Sequence, residues 1–263
     1  MKISVVTVCM NSASTLRDAM ESVARQRRDG FEVEHIVVDG GSTDGTLDLL
    51  KASPGVRWVS EPDRGTYDAM NKGIRLATGD VVGTLNADDV MADDGALASV
   101  AAAFADPAVG AAYGDIRFVA RDLKSVDAVR AGRTRRYCSS RFWRPWMFRF
   151  GAMVPHPTFY CRRSLFDDLG LYDFERFRKS ADFDLELRFL RVARVVSRRI
   201  PRCLVVMRTG GQSTAFDNAR FNREDLESLR LHGIASSLPL IYLKYLFKVW
   251  GFVLPRLPFF RAS

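Results

Sequence analysis

The sequence predicts an α/β fold with a mainly parallel central sheet flanked by helices. Three observations carry this expectation. Short β-branched runs alternate with segments of helical spacing through the first hundred residues. Each run is followed within a few residues by Gly, Asp or Asn, which turn a chain out of a strand. The chain has 263 residues, 47% of them hydrophobic, enough to cover both faces of such a sheet.

Residues 3–8 form the first predicted strand. A helix follows over 14–27, with Leu16, Ala19, Met20 and Val23 on one face. Residues 35–38 are the second strand, ending in the turn Asp39-Gly40-Gly41-Ser42, and 44–51 the second helix. The third strand is 56–59. Its helix, 67–77, is closed by Thr78-Gly79-Asp80. The fourth strand is 81–85, with a helix over 94–104. Repeated βα units of this kind build a parallel sheet. Beyond Pro107 the period weakens. Residues 111–118 read as one or two strands, 157–161 and 204–207 as strands, and 163–169, 182–191 and 217–231 as helices.

Charge and composition narrow the partners. The formal charge is +8, which favours anionic partners such as acidic lipid, phosphorylated substrates or nucleic acid. From Ala128 to Phe166 there are nine Arg and no Asp or Glu, interleaved with Tyr137, Phe142, Trp143, Trp146, Phe148 and Phe150. Four scattered Cys and three His give neither a zinc site nor a disulfide framework, as expected of a reducing cytoplasm. The N-terminus runs into a strand pattern without a signal-peptide layout. Residues 238–254 are apolar and aromatic except for Lys244 and Lys248, which share a helix face. The run is shorter than the ~20 residues of a membrane span. It reads as an amphipathic helix lying in a membrane interface with snorkelling lysines, or as a helix packed on the protein's own core.

In open α/β sheets, ligands bind beyond the carboxyl ends of the strands. Here those ends carry Asp39, Asp63 and the pair Asp88-Asp89. Adjacent carboxylates repel unless a cation or separate partners hold them, and hard oxygen ligands suit Mg2+ or Mn2+. Asp at this point also serves as a helix cap. Asp39 fits an ordinary Asp-Gly turn or an acceptor for a base N–H. Asp68 and Lys72 are an i,i+4 pair, and Arg64 is available to a phosphate.

Four ordered segments make a resemblance: Val38-Asp39-Gly40-Gly41-Ser42-Thr43-Asp44-Gly45-Thr46, Glu61 to Gly73, Leu85-Asn86-Ala87-Asp88-Asp89, and the strand at Val5 and Thr7 that opens the series. Together they resemble family-2 glycosyltransferases of the GT-A fold, from the bacterial branch that builds exopolysaccharide, O-antigen and glycolipids. The resemblance covers residues 1–215. It implies a Rossmann-like nucleotide-sugar-binding half over 1–106, an acceptor and catalytic half over 107–215, and a helical C-terminal extension over 216–263.

The resemblance also implies roles. Thr7 lies against the nucleoside, Asp39 reads the base (uracil by preference), and Asp63 sits near base or ribose. Asn86-Ala87-Asp88 occupies the DXD motif with Asn in first place. That leaves Asp88 and Asp89 for ribose and a divalent metal, Mn2+ or Mg2+, with the direct ligand open between them. Asp182 matches the catalytic base, with Asp184 as runner-up and a helix cap as the alternative for Asp182. His156 is either a site-facing residue near diphosphate or acceptor, or a buried structural His. Arg64 and arginines of 133–149 are expected at the diphosphate or along an acceptor wall. Gly210-Gly211-Gln212-Ser213 resembles a loop over the diphosphate, or is a plain turn.

The expected activity is inverting transfer of a single sugar from a nucleotide-diphosphate sugar to a glycan or lipid-linked acceptor. The expected setting is peripheral, on the anionic inner face of a bacterial cytoplasmic membrane. The missing QxxRW box argues for single transfer. A sugar nucleotidyltransferase would carry a Gly-rich basic loop where Cys9-Met10-Asn11-Ser12-Ala13-Ser14 stands. A nucleic-acid module would carry a recognition motif, and none is present. An inactive sugar-nucleotide scaffold has no need of Asp88, Asp89 and Asp182 together.

Overall fold

The computed structural model describes residues 1–210 and 218–246. Four strands form the parallel half of the sheet: β1 (Lys2–Cys9), β2 (Glu32–Asp39), β3 (Arg57–Ser60) and β4 (Val81–Thr84). Their order is β3-β2-β1-β4, and the register aligns Cys9 with Asp39 and Asp39 with Ser60. Three strands therefore end at one edge, which brings their polar termini together. β1 lies between β2 and β4 and is buried on both sides, with Ser4 and Thr7 its buried polar residues.

Helices α1 (Leu16–Ala24), α2 (Thr46–Lys51), α3 (Thr66–Leu76) and, beyond the two-residue strand β5 (Val90–Met91), α4 (Ala96–Ala103) cover this half. Helix α3 packs unusually close to β1, because Gly73 leaves room where a Cβ would collide with Val6. On one face Val6, Ile36, Val38, Met70 and Ile74 form a core that continues into the second half. On the other, Ile3, Val5, Val23, Leu97 and Val100 pack together.

The second half is mixed. β6 (Ala111–Val119) is a single strand. It pairs antiparallel with β7 (Arg136–Cys138) and β8 (Tyr160–Arg162), and parallel with β9 (Ser197–Arg208). β8 also pairs antiparallel with β4 and joins the halves. The expected strand 157–161 is a 3-10 turn, His156–Thr158, followed by β8. Strand β9 starts seven residues before the expected 204. Helix α5 (Val126–Ala131), β7 and a 3-10 turn at Pro145–Phe150 fill the Arg-aromatic stretch. Trp143 and Phe148 there are buried, while Phe142 and Trp146 are exposed.

Helices α6 (Ser164–Leu169), α7 (Ala181–Leu187), α8 (Asn218–Leu231) and α9 (Leu238–Tyr242) complete the described chain. The Glu224 carboxylate accepts from the Lys179 and Ser180 N–H groups, tying α8 to the start of α7. Ile241 is fully buried against Gly151. Lys244 does not snorkel: its ammonium donates to the buried Asp225 at 2.6 Å. Over its described part, α9 packs on the protein's own body through Ile241, while Leu238, Tyr242, Leu243 and Leu246 are exposed. Lys248 and the rest of the run to 254 lie outside the described residues, as do residues 211–213 of the Gly-Gly-Gln-Ser segment. No helix among the described residues is long and apolar enough to cross a membrane.

Candidate active site

A cleft of about 1380 Å³ opens beyond the carboxyl ends of β1 and β4. One side is lined by Val8 to Ser12, Asp63 and Asn86-Ala87-Asp88, the other by Ser139 to Trp143, His156 and Asp182. Strand geometry supplies the first group, and the irregular basic segment together with α7 supplies the second.

Asp182 opens α7. Its Oδ1 accepts from the Tyr67 hydroxyl at 2.8 Å and from the Phe183 N–H at 2.9 Å. Among the described residues nothing donates to its Oδ2. Tyr67 is buried next to Asp182, and both effects push its hydroxyl well above the usual range, so it stays a donor. His156 lies close by, its Nε2 3.1 Å from the Tyr172 hydroxyl and its Nδ1 3.4 Å from Glu186 Oε1.

Asp88 and Asp89 follow β4. Asp88 lines the cleft, and burial raises its carboxyl above the usual value against the pull of Arg208 and Arg121. Asp89 is fully buried behind it. Its Oδ2 accepts from Asn86 Nδ2 at 3.0 Å, but its Oδ1 has no partner. Burial first, and the Asp88 charge second, raise it well above the carboxylate range. Arg208 braces this loop. Its guanidinium donates to the Asp88 carbonyl at 2.7 Å, to the Leu123 carbonyl at 3.1 Å and to buried Asp18.

No group of three or more His, Cys, Asp or Glu that would hold a metal exists among the described residues. Asp88, which lines the cleft, and the unpartnered Asp89 Oδ1 behind it are hard oxygen donors of the kind that suits a divalent ion completing its shell with water and phosphate oxygens. The residues fit such an ion in the presence of a diphosphate.

Residues 4–170 match the family model described as Glycosyl transferase family 2. The chain belongs to this family. A PGL/p-HBAD biosynthesis glycosyltransferase of Mycobacterium bovis (strain BCG / Pasteur 1173P2) is 30% identical over 232 residues, covering 86% of this chain and 83% of that one. An uncharacterized glycosyltransferase of Mycobacterium tuberculosis is 32% identical over 207 residues, 76% of this chain and 73% of the relative. Among solved structures, the mannosyltransferase PcManGT from Pyrobaculum calidifontis, in complex with GDP-Man and Mn2+, superposes with a TM-score of 0.62 at 19% identity. That match covers 97% of this chain and 72% of the other. S. aureus TarS gives 0.61 at 17% identity, with 88% of this chain covering 39% of TarS. These two likenesses show the GT-A fold.

Four of the expected site residues do not line the cleft. Thr7 does not line the cleft, and its hydroxyl lies 2.9 Å from buried His35. Burial lowers His35 to about 4, so the partner is a neutral imidazole. Asp39 is fully buried and holds the turn. It accepts from the N–H groups of Gly41 and Ser42 and from the hydroxyls of Ser42 and Ser60, with the Cys9 thiol alongside. Five donors fill the lone pairs of a carboxylate and leave none for a base. Burial alone would raise Asp39, but these bonds bring it below its usual value. Arg64 points away from the cleft, to Glu175 at 3.0 Å and over the Phe174 ring. Asp184 is buried, accepting from Arg188 Nε at 2.8 Å and from Ser228 at 2.8 Å, with His232 Nε2 3.0 Å away. It ties α7 to α8 and does not reach the cleft.

Asp63, Asn86, Asp88, His156 and Asp182 do share the cleft. Asp63 accepts from the Gly65 N–H at 2.8 Å, and its carboxylate occupies the place a Gly40 side chain would need. The sequence reading missed Tyr67, Arg208 and Glu186. Only Glu186 left a signal, standing one helical turn after Asp182.

Proposed function

We propose that this glycosyltransferase moves one sugar, with inversion, from a UDP-sugar to a hydroxyl of a lipid-linked or glycan acceptor. The product class is cell-surface polysaccharide or glycolipid. The reading rests on one observation: Asp88 and Asp182 line the same cleft, and Asp182 is held there by Tyr67. The donor class is supported by solved neighbours in complex with UDP-GlcNAc and with GDP-Man and Mn2+.

Asp182 takes the proton of the acceptor hydroxyl as general base. The hydroxyl oxygen forms its bond to the anomeric carbon on the face opposite the leaving group. The bond from that carbon to the diphosphate oxygen breaks, and its electron pair leaves with the diphosphate. Asp63 and Asn86 face the nucleoside, and Asp39 shapes the floor beneath it. Asp88, with Asp89 behind it, would hold Mn2+ or Mg2+, which neutralises charge on the diphosphate when bound. His156 stands on the acceptor side.

We place the protein at the inner face of the cytoplasmic membrane as a peripheral enzyme. The net charge of +8 and the exposed Phe142 and Trp146 beside Arg141 and Arg144 support this.

Thermal shift and donor hydrolysis across UDP-, GDP- and dTDP-sugars, with Mn2+ and with EDTA, test the reading. The expected result is stabilisation by UDP-sugars that needs metal and is lost in Asp88→Ala. A response confined to GDP- or dTDP-sugars changes the base. Folded protein that responds to none of them with Mn2+ present overturns the donor site.

A further inference from the structure

Glu186 stands four residues after Asp182 on α7, so both carboxylates lie on one helix face. Its side chain is fully buried. Oε1 is 3.4 Å from His156 Nδ1, and Oε2 has no hydrogen-bond partner. On its other side, His156 presents Nε2 to the Tyr172 hydroxyl at 3.1 Å. The Tyr172 ring stacks on Tyr67, with centroids 5.5 Å apart, and Tyr67 holds Asp182. His156 and Asp182 line the cleft, and Glu186 reaches it only through His156.

A buried carboxylate with an empty acceptor is costly in a low-dielectric interior unless a proton or a cation accompanies it. Nothing in the transfer step uses this group. We propose that Glu186 is a positioning residue for the acceptor side: it keeps a proton of its own on Oε2, accepts the Nδ1–H of a neutral His156 at Oε1, and so leaves Nε2 to accept from Tyr172. Burial first, then the Cys161, Asp182 and Glu186 charges, hold the Tyr172 hydroxyl well above its usual value, which suits Tyr172 as the donor.

The electrostatics agree with this arrangement. Burial drives Glu186 up to about 8, against the pull of His156. Burial would lower His156, yet Glu186 and Asp182 hold it above its usual value. The groups facing the pair are Asp182, Tyr113, Tyr172 and the Val154 N–H. The Glu186 proton keeps a second negative charge off the wall that carries Asp182. Above about pH 8 the pair loses that proton and turns anionic.

The chain has three His, so ring-nitrogen NMR of 15N-histidine protein resolves the question on the native enzyme, with His156→Gln assigning the signal. The expected spectrum has His156 as the Nδ1–H tautomer once neutral. Glu186→Gln then lowers its proton affinity by about tenfold, one pH unit. An Nε2–H tautomer, or a titration unchanged in Glu186→Gln, overturns the proposal. The consequence for transfer rests on the reaction proposed above. Glu186→Gln should cut kcat/KM for the acceptor about tenfold, remove the activity loss above pH 8, and leave the donor KM unchanged. Loss of UDP-sugar binding in the wild type would sink the transferase reading and leave the tautomer result standing.

Discussion

The Tyr67 hydroxyl donates to Asp182 Oδ1 at 2.8 Å, joining α3 to the start of α7. The bond occupies one carboxylate oxygen and leaves Oδ2 without a donor among the described residues. Asp182→Asn should remove transfer by ~100-fold or more, the scale of a lost general base, with UDP-sugar stabilisation retained. Tyr67→Phe keeps the base but frees its orientation, and should lower kcat about tenfold with little change in donor KM. Steady-state kinetics of both variants decide this. Near-normal turnover in Asp182→Asn would remove it as the base.

Asp184 sets the contrasting case. Helix phase turns it about 200° from Asp182, toward α8 rather than the cleft. Truncation to Ala strands the partly buried Arg188 and His232 and should cost about 3 kcal/mol. Burial opposes ionisation, but His232, Arg188 and Ser228 lower its folded pKa. The contribution is therefore present above the unfolded value and is lost as pH falls through the folded one. Urea melts of wild type and Asp184→Asn should converge as pH drops below about 4. Donor binding should persist in Asp184→Asn. A specific loss of catalysis at wild-type stability would return Asp184 to the site.

Asp89 behaves in the opposite sense. Its folded pKa is raised, so the folded state binds the extra proton and stability falls as pH rises above about 4. Asp89→Asn removes a buried charge beside Asp88. In EDTA at pH 7 it should melt higher than wild type, with the gap closing toward pH 4. Mn2+ with UDP should then stabilise wild type and not the variant. Equal metal response in both would exclude Asp89 from holding the ion.

The parallel half was legible because β1 to β4 are β-branched and each ends in a residue that turns the chain. Which strand-end residues face the cleft was not. β1 is buried on both sides, so alternation does not reveal that Thr7 points to His35 while Val8 and Cys9 line the cleft. Asp39 reads as a polar group at a strand end, and only the fold brings Ser60 from β3 to saturate it. Arg64 is drawn away by Glu175, 111 residues later. The Arg-aromatic stretch hid its structure because its elements are only three to six residues long, too short for a period to show. Asp182 was separable from Asp184 by helix phase, and the same phase pointed to Glu186.

The exposed aromatics bear on where the enzyme works. Phe142 is 74% exposed and Trp146 57%, and both flank arginines next to the cleft mouth. The proposed membrane contact rests on these two exposed rings beside arginines. Trp favours the lipid interface, and arginine favours phosphate headgroups. Lys244 contributes nothing to that charge, because Asp225 neutralises it. Flotation with vesicles containing phosphatidylglycerol should therefore show binding that weakens with salt. Phe142→Ala and Trp146→Ala together should reduce it at least about tenfold, since each ring removes apolar contact worth more than 1 kcal/mol. Lys244→Met should leave it unchanged. Full vesicle binding in the double variant would move the contact elsewhere, and no binding at low salt would end the peripheral-membrane reading.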